Sequence, residues 1–112
     1  MTEEVRVVRY TTKKTQPKAK QHCIRLGGRL MEVRTQHDYD KAVEKRERNT
    51  VWIGVKKNNG KWKWLSNNER MDMTQFLMSG RPDSSAECAS MRGGGFGDDR
   101  CDKNFHYLCE FY

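Results

Sequence analysis

Apolar residues are scarce in this chain: 35% of its 112 residues are hydrophobic, whereas 33% are charged. Nowhere do eighteen apolar residues run together, so the sequence offers no spanning helix. Residues 2–9, "TEEVRVVR", lack the apolar stretch of a signal peptide. No C-x-x-C pair occurs, and neither His22 nor His106 stands at zinc-finger spacing from a cysteine pair. The four cysteines, Cys23, Cys88, Cys101 and Cys109, are therefore read as disulfide partners, which implies an oxidising, extracellular setting. There is no phosphate-binding loop either, because "GGGFG" runs straight into an acidic pair that repels phosphate. The three histidines are scattered and form no Ser/His/Asp arrangement, so the chain does not read as an enzyme. Its lysines belong to no nucleic-acid motif.

A chain of this length is a single domain, residues 1–112, and a core this lean in so few residues needs covalent staples. Charge is unevenly spread. Residues 1–63 carry 17 Lys/Arg against 7 Asp/Glu, a balance of +10, and residues 64–112 carry 5 against 8, a balance of −3. One face of the domain is expected to attract anions.

The order of elements reads as α+β. "EEVRVVRY" has strand character, with Val5, Val7, Val8 and Tyr10. Thr15 and Pro17 open a helix that places Ala19, Cys23 and Leu26 on one stripe and stops at Gly27-Gly28. After the extended "RLMEV", Thr35 and Asp38 resemble a capping box, and Tyr39, Ala42 and Val43 form the apolar stripe of a surface helix ending near Asn49. "VWIGV" at 51–55 is a buried strand. Asn59-Gly60 predicts a hairpin turn, followed by Trp62 and Trp64 on one side and Lys61 and Lys63 on the other. Residues 66–85 are mostly polar, with Phe76 and Leu77 as isolated anchors, and a loop of that length is usually functional. "AECASM" is a strand, "GGGFGDD" a glycine-rich bend, and "FHYLCEFY" the last strand. Trp52, Trp64, Phe105 and Tyr107 read as core; Trp62, half-exposed among lysines, is a candidate platform for a sugar ring.

Taken in order, "WIGV" (52–55), W-x-W (62–64), Thr-Gln-Phe (74–76), Pro82 and C-(12)-C-(7)-C (88, 101, 109) resemble the C-type lectin-like domain. A first helix with Ala19 and Cys23 four residues apart agrees with that likeness. The resemblance covers nearly the whole chain. It implies two helices flanking antiparallel sheets with a long irregular loop, and the disulfides Cys23–Cys109 and Cys88–Cys101. The family's longer form has an extra N-terminal cysteine pair that this sequence lacks, so the short form is implied.

Sugar-binding members of that family hold Ca²⁺ in the long loop, where it needs six to eight oxygens. Their Glu-Pro-Asn or Gln-Pro-Asp tripeptide corresponds to Arg81-Pro82-Asp83, and their Trp-Asn-Asp to Phe96-Gly97-Asp98. Arg81 has no acceptor to offer and Gly97 no side chain. Glu87 stands one residue nearer the cysteine that follows it, Cys88, than the family's acid usually does. The expected ligand loop is thus Arg81, Asp83, Glu87, Asp98 and Asp99. In one reading the Arg81 guanidinium lies between Asp83 and Asp98 in place of the metal. In the other, Asp83, Glu87 and Asp98 hold a distorted Ca²⁺ site; no cofactor is otherwise expected. Two ligand classes stay open, a glycan or a protein, both met outside the cell, and a homodimer is neither implied nor excluded. An acidic glycan would dock on Lys56, Lys57, Lys61, Trp62 and Lys63, or on the helix face of Lys41, Lys45, Arg46 and Arg48.

Overall fold

The structure, a computed structural model, describes residues 5–58, 61–70, 87–93 and 95–112. Asn59-Gly60, the Thr74–Phe76 motif with Leu77, and the tripeptide Arg81–Asp83 lie outside those residues. The elements run β1 (Arg6–Lys14), α1 (Gln16–Arg25), β2 (Arg29–Leu30), α2 (Gln36–Arg46), β3 (Val51–Asn58), β4 (Lys61–Trp64), β5 (Cys88–Arg92), β6 (Gly95–Asp99) and β7 (Phe105–Phe111).

Both helices begin and end as local chemistry requires. Thr15 is the N-cap of α1, but its side chain makes no capping bond, and Pro17 fills the first turn. Gly27, at φ 90°, ends the helix, with the Gly28 N–H donating to the Cys23 carbonyl at 2.9 Å. Ala19 and Cys23 are buried as the spacing predicts, whereas Leu26, expected on the same stripe, is 46% exposed because the helix has already turned into its cap there. At α2 the Asp38 N–H donates to Thr35 Oγ1 at 3.1 Å, and Asp38 Oδ2 accepts in return from the Arg34 N–H at 3.1 Å. The box therefore closes one residue earlier than the usual form. The helix stops before the expected Asn49, since Glu47 and Arg48 are both left-handed. Its buried stripe is narrow: Ala42 is in the core, Tyr39 packs against it and Val43 remains exposed.

The strands form one seven-stranded sheet in the order β1-β7-β3-β5-β6, with β2 also on β7 and β4 also on β3. It is mixed and not purely antiparallel, because β3 and β7 run parallel through Val51↔His106 and Trp52↔Tyr107. The glycine-rich "bend" is a strand: Gly95–Asp99 pairs along its length with β5, from Cys88↔Asp99 to Arg92↔Gly95. One face of the sheet buries Val7, Val33, Ala42, Ile53, Trp64, Phe96 and Leu108. The other buries Ala19, Trp52 and Tyr107 around the sulfurs of Cys23, Cys88 and Cys109. Trp52 Nε1 donates to the Lys14 carbonyl at 2.8 Å, and Phe105 packs on the Trp52 ring at 4.8 Å between centroids. The disulfides are Cys23–Cys109 and Cys88–Cys101, the pairing the resemblance implies.

Two carboxylates are buried beside β2. Glu110 accepts from Arg29 Nε at 2.6 Å, and Glu32 accepts from Arg34 at 2.6 Å and from the Ser66 N–H and hydroxyl at 2.9 Å each. Burial holds the Glu110 carboxyl above the usual glutamate range, with Arg29 opposing. Both acids tie strands together.

Gln16 makes an equally direct tie. Its Nε2 donates to the carbonyls of Ile53 at 3.0 Å and Val55 at 2.8 Å, joining α1 to the bulged edge of β3 inside the protein. Gln16→Leu leaves both carbonyls unmet, and urea unfolding should show a loss of about 2–4 kcal/mol; a loss below about 0.5 kcal/mol, the size of a neutral surface change, contradicts this role. His106 supplies a second test. Its Nδ1 accepts from Arg9 at 3.1 Å, which requires a neutral ring, and burial followed by the Arg9 and Lys13 charges lowers its pKa. As pH falls, the unfolded chain takes up this proton first. Stability from this group is intact above the ordinary histidine value of about 6.5 and declines as pH falls through it toward the lower folded value. In His106→Gln that part of the pH–stability profile should flatten.

Candidate ligand-binding site

Alternation along a strand decides which side chains share a surface. β3 and β4 pair through Val55↔Trp64, Lys56↔Lys63, Lys57↔Trp62 and Asn58↔Lys61. Lys57 therefore shares a face with Trp62, Trp64 and Val55, and the ammonium of Lys57 lies 5.3 Å from the centre of the Trp62 ring. Lys56, Asn58, Lys61 and Lys63 occupy the opposite face. The five residues expected to form one anion-binding surface are thus divided between two. Trp62 is half-buried, packed against the core and covered by Lys57.

The face bearing Lys56 and Lys63 borders a cavity of about 370 Å³. Among the described residues Lys56, Lys57, Asn58, Lys63, Trp64, Leu65, Asn68 and Glu87 line it. Its walls are fixed by two main-chain bonds and one between side chains. The Lys57 N–H donates to the Glu87 carbonyl at 2.6 Å, the Leu65 N–H to the Gly54 carbonyl at 3.0 Å, and Asn58 Nδ2 to Asn68 Oδ1 at 3.3 Å. Lys56 also stands opposite Cys88 of β5, so its backbone is held from both sides. Among the described residues, no ion pair engages Lys56, Lys61 or Lys63.

The acidic residues expected to cluster do not face one way. Glu87 precedes β5 with an exposed side chain on the cavity wall. Asp98 and Asp99 are neighbours on β6 and point to opposite faces, across from Ala89 and Cys88 respectively. Asp99 is buried. Its Oδ2 accepts from Ser90 Oγ at 2.5 Å and from Arg92 Nη2, and Lys103 Nζ lies 3.5 Å from Oδ1. The Arg92 guanidinium lies over Gly97 so closely that a Cβ there would come within 2.5 Å of its Nε. Among the described residues no three His, Cys, Asp or Glu side chains converge on one point. The described residues alone do not fit a Ca²⁺ cage: Gly97 brings no side-chain oxygen, and the Asp99 carboxylate already has two hydrogen-bond donors and a nearby ammonium. Arg81 and Asp83, the other half of the expected site, lie outside the described residues.

Arg92 and Ser90 were not singled out by sequence reasoning. A signal for them exists in the alternation, since 90 and 92 share a face with 97 and 99, and a glycine inside a strand marks the close approach of another group. Treating "GGGFGDD" as a bend hid that alternation.

Two helices on a mixed sheet, a sulfur bridge joining the first helix to the last strand and a second one closing the β5–β6 hairpin define a lectin-like recognition fold. The chain belongs to the lectin C-type domain family, whose family model matches residues 12–111. It is 24% identical over 95 residues to C-type lectin domain family 4 member M of Hylobates lar, an alignment covering 79% of this chain and 24% of that protein. The chain thus spans about a quarter of that relative's length. Three solved structures share the fold. The mouse scavenger receptor C-type lectin carbohydrate-recognition domain superposes with a TM-score of 0.80 at 23% identity, covering 93% of this chain and 87% of that one. The cow CD23 C-type carbohydrate-recognition domain, solved in the presence of a GlcNAc2Man3 oligosaccharide, gives 0.83 at 20% identity, with 97% and 88% covered. Herring type II antifreeze protein gives 0.81 at 18% identity, with 98% and 92% covered. The family is one of recognition domains and not an enzyme class. Its members are typically extracellular, with which the two disulfides agree. Among the described residues, no helix is long and apolar enough to cross a membrane.

Removing Arg92 tests the latch over Gly97. Arg92→Leu leaves the buried Asp99 carboxylate with Ser90 and the more distant Lys103. Because the arginine is itself partly exposed, the expected loss in denaturant unfolding is about 1–3 kcal/mol. Adding Asp99→Asn should recover part of it; if the double variant is no better than the single one, the pair is not the source of the effect.

Proposed function

We propose that this domain recognises an acidic glycan outside the cell through the basic surface of β3 and β4, by a mechanism that does not use Ca²⁺. One observation carries the reading: the lysines on the Lys56/Lys63 face of the hairpin have no acidic partner among the described residues and border a preformed cavity. The helix face weighed as the alternative docking surface is more occupied. Lys41 Nζ donates to the Val5 carbonyl, Arg46 donates to the Asn49 carbonyl at 3.1 Å, and Glu44 and Glu47 sit on the same helix or its cap. Unpaired lysines on rigid strands offer an anion charge without first giving up an internal contact.

The calcium-free part of the reading draws on β6. A family member using the metal needs oxygens at the positions of Gly97 and Asp98, and here Arg92 covers the first. The Arg81 guanidinium would act in the same sense in the loop. Fold likeness does not choose the ligand, since one fold carries unrelated functions, so the proposal rests on the cavity and its charges.

A glycan array read in EDTA, in Ca²⁺, and at low and high salt tests it. Binding confined to acidic glycans, unchanged by EDTA and weakened by salt, is the expected result. Neutral-sugar binding abolished by EDTA overturns it in favour of the metal-centred mode. Silence across the array overturns it in favour of a protein partner.

A further inference from the structure

Lys56 and Lys63 are direct cross-strand partners on one face of an antiparallel pair. Their Cβ atoms are then about 5 Å apart, and like charges so placed repel. A chain has no stability reason to keep such a pair. The remaining neighbours do not cancel it. Among the described residues three lysines and one glutamate line the cavity; with Lys57 drawn away over Trp62, Lys56, Lys63 and Glu87 leave a balance of +1. Glu87 is the one acid among the described lining residues, and it forms an ion pair with neither Lys56 nor Lys63. Asn58 and Asn68, already bonded to each other, place neutral amides on the same wall. The backbone beneath is held by strand pairing on both sides of Lys56 and by the disulfide at Cys88. The two lysines thus form a cradle on a rigid backbone.

Building on the acidic-glycan reading, we propose that Lys56 and Lys63 form a subsite for one sulfate ester of the glycan. The choice of sulfate follows from the donors. Two lysine ammoniums are point charges with freely rotating donors, suited to a tetrahedral group that presents three terminal oxygens. A planar carboxylate is matched better by the fork of an arginine, and among the described residues no arginine lines this cavity. The bound sulfate removes the repulsion between the two lysines, so binding and local stability are linked. The asparagine amides border the sulfate position and are available to the sugar ring that carries it.

The test uses a size-defined heparin oligosaccharide and its chemically desulfated counterpart, which keeps the carboxylates. The whole domain should bind the sulfated form, and the desulfated form at least about tenfold more weakly. Lys56→Gln with Lys63→Gln should cost about 10–100-fold in affinity for the sulfated form and flatten its salt dependence, with an unchanged circular dichroism spectrum. Lys41→Gln with Lys45→Gln should leave binding unaltered. If the Lys56/Lys63 variant binds like the wild type, or the Lys41/Lys45 variant carries the loss, the subsite is overturned while acidic-glycan recognition stands. Equal affinity for the desulfated chain overturns the choice of sulfate. No binding of either chain by the wild type removes the acidic-glycan reading along with the subsite. Titrating the wild-type domain with sodium sulfate, against sodium chloride at equal ionic strength, needs no variant to fold. Amide shifts should centre on Lys56, Lys63 and Cys88, and shifts centred elsewhere overturn the cradle.

Discussion

The bond between Cys23 and Cys109 is the constraint on which the architecture depends. It spans 86 positions of sequence and joins α1 to β7, the strand that lies between β1 and β3 and also receives β2. In the chain-entropy picture such a closure contributes about 4–5 kcal/mol, and the 13-residue closure of Cys88–Cys101 about 3 kcal/mol. Domains of this size have a total stability of about 5–15 kcal/mol. With only a third of its residues hydrophobic, the chain relies on these two bridges for much of its margin. Cys109 also sits beside Leu108, so one short stretch of β7 faces both cores and couples them.

With the frame fixed, strand alternation distributes the chemistry. On β3 it sends Ile53 and Val55 to one core and Trp52 to the other, and past the core edge it sends Lys57 and Lys56 to opposite faces. On β6 it parts Asp98 from Asp99, giving the second to Ser90 and Arg92 as a structural anchor. Clusters of like residues in sequence are therefore split in space: the lysine run becomes two surfaces, and the acidic run becomes one partly exposed and one committed carboxylate.

Much of this was legible from the chain. Period-3.6 spacing with end signals located both helices, and the apolar run 51–55 located the central strand. The bridge pairing was not readable from spacing; it came through the likeness of W-I-G, W-x-W and the cysteine order to a known family, and the sulfurs do pair that way. What stayed hidden shares one cause, long-range register. The parallel contact of β3 with β7 joins segments some 50 residues apart, which no local pattern encodes. Three consecutive glycines disguised β6, because its strand character comes from pairing with β5 and not from its own propensity. The stripe residues Leu26 and Val43 ended up exposed because each helix turns or narrows before tertiary contacts reach them. Of the candidate site, the positions of the lysines were visible beforehand, but the pairing of Lys56 with Lys63 across the ladder and the placing of Arg92 over Gly97 follow from geometry alone.

Arg70 bridges to Lys63, and the Glu87 carbonyl is bonded to the Lys57 N–H. Segments outside β3 and β4 are thus fastened by main-chain bonds to the same hairpin, whose backbone is anchored from two directions. Exchanging an outward-facing side chain on this hairpin can therefore retune what the surface attracts while the sheet, helices and sulfur bridges stay as they are.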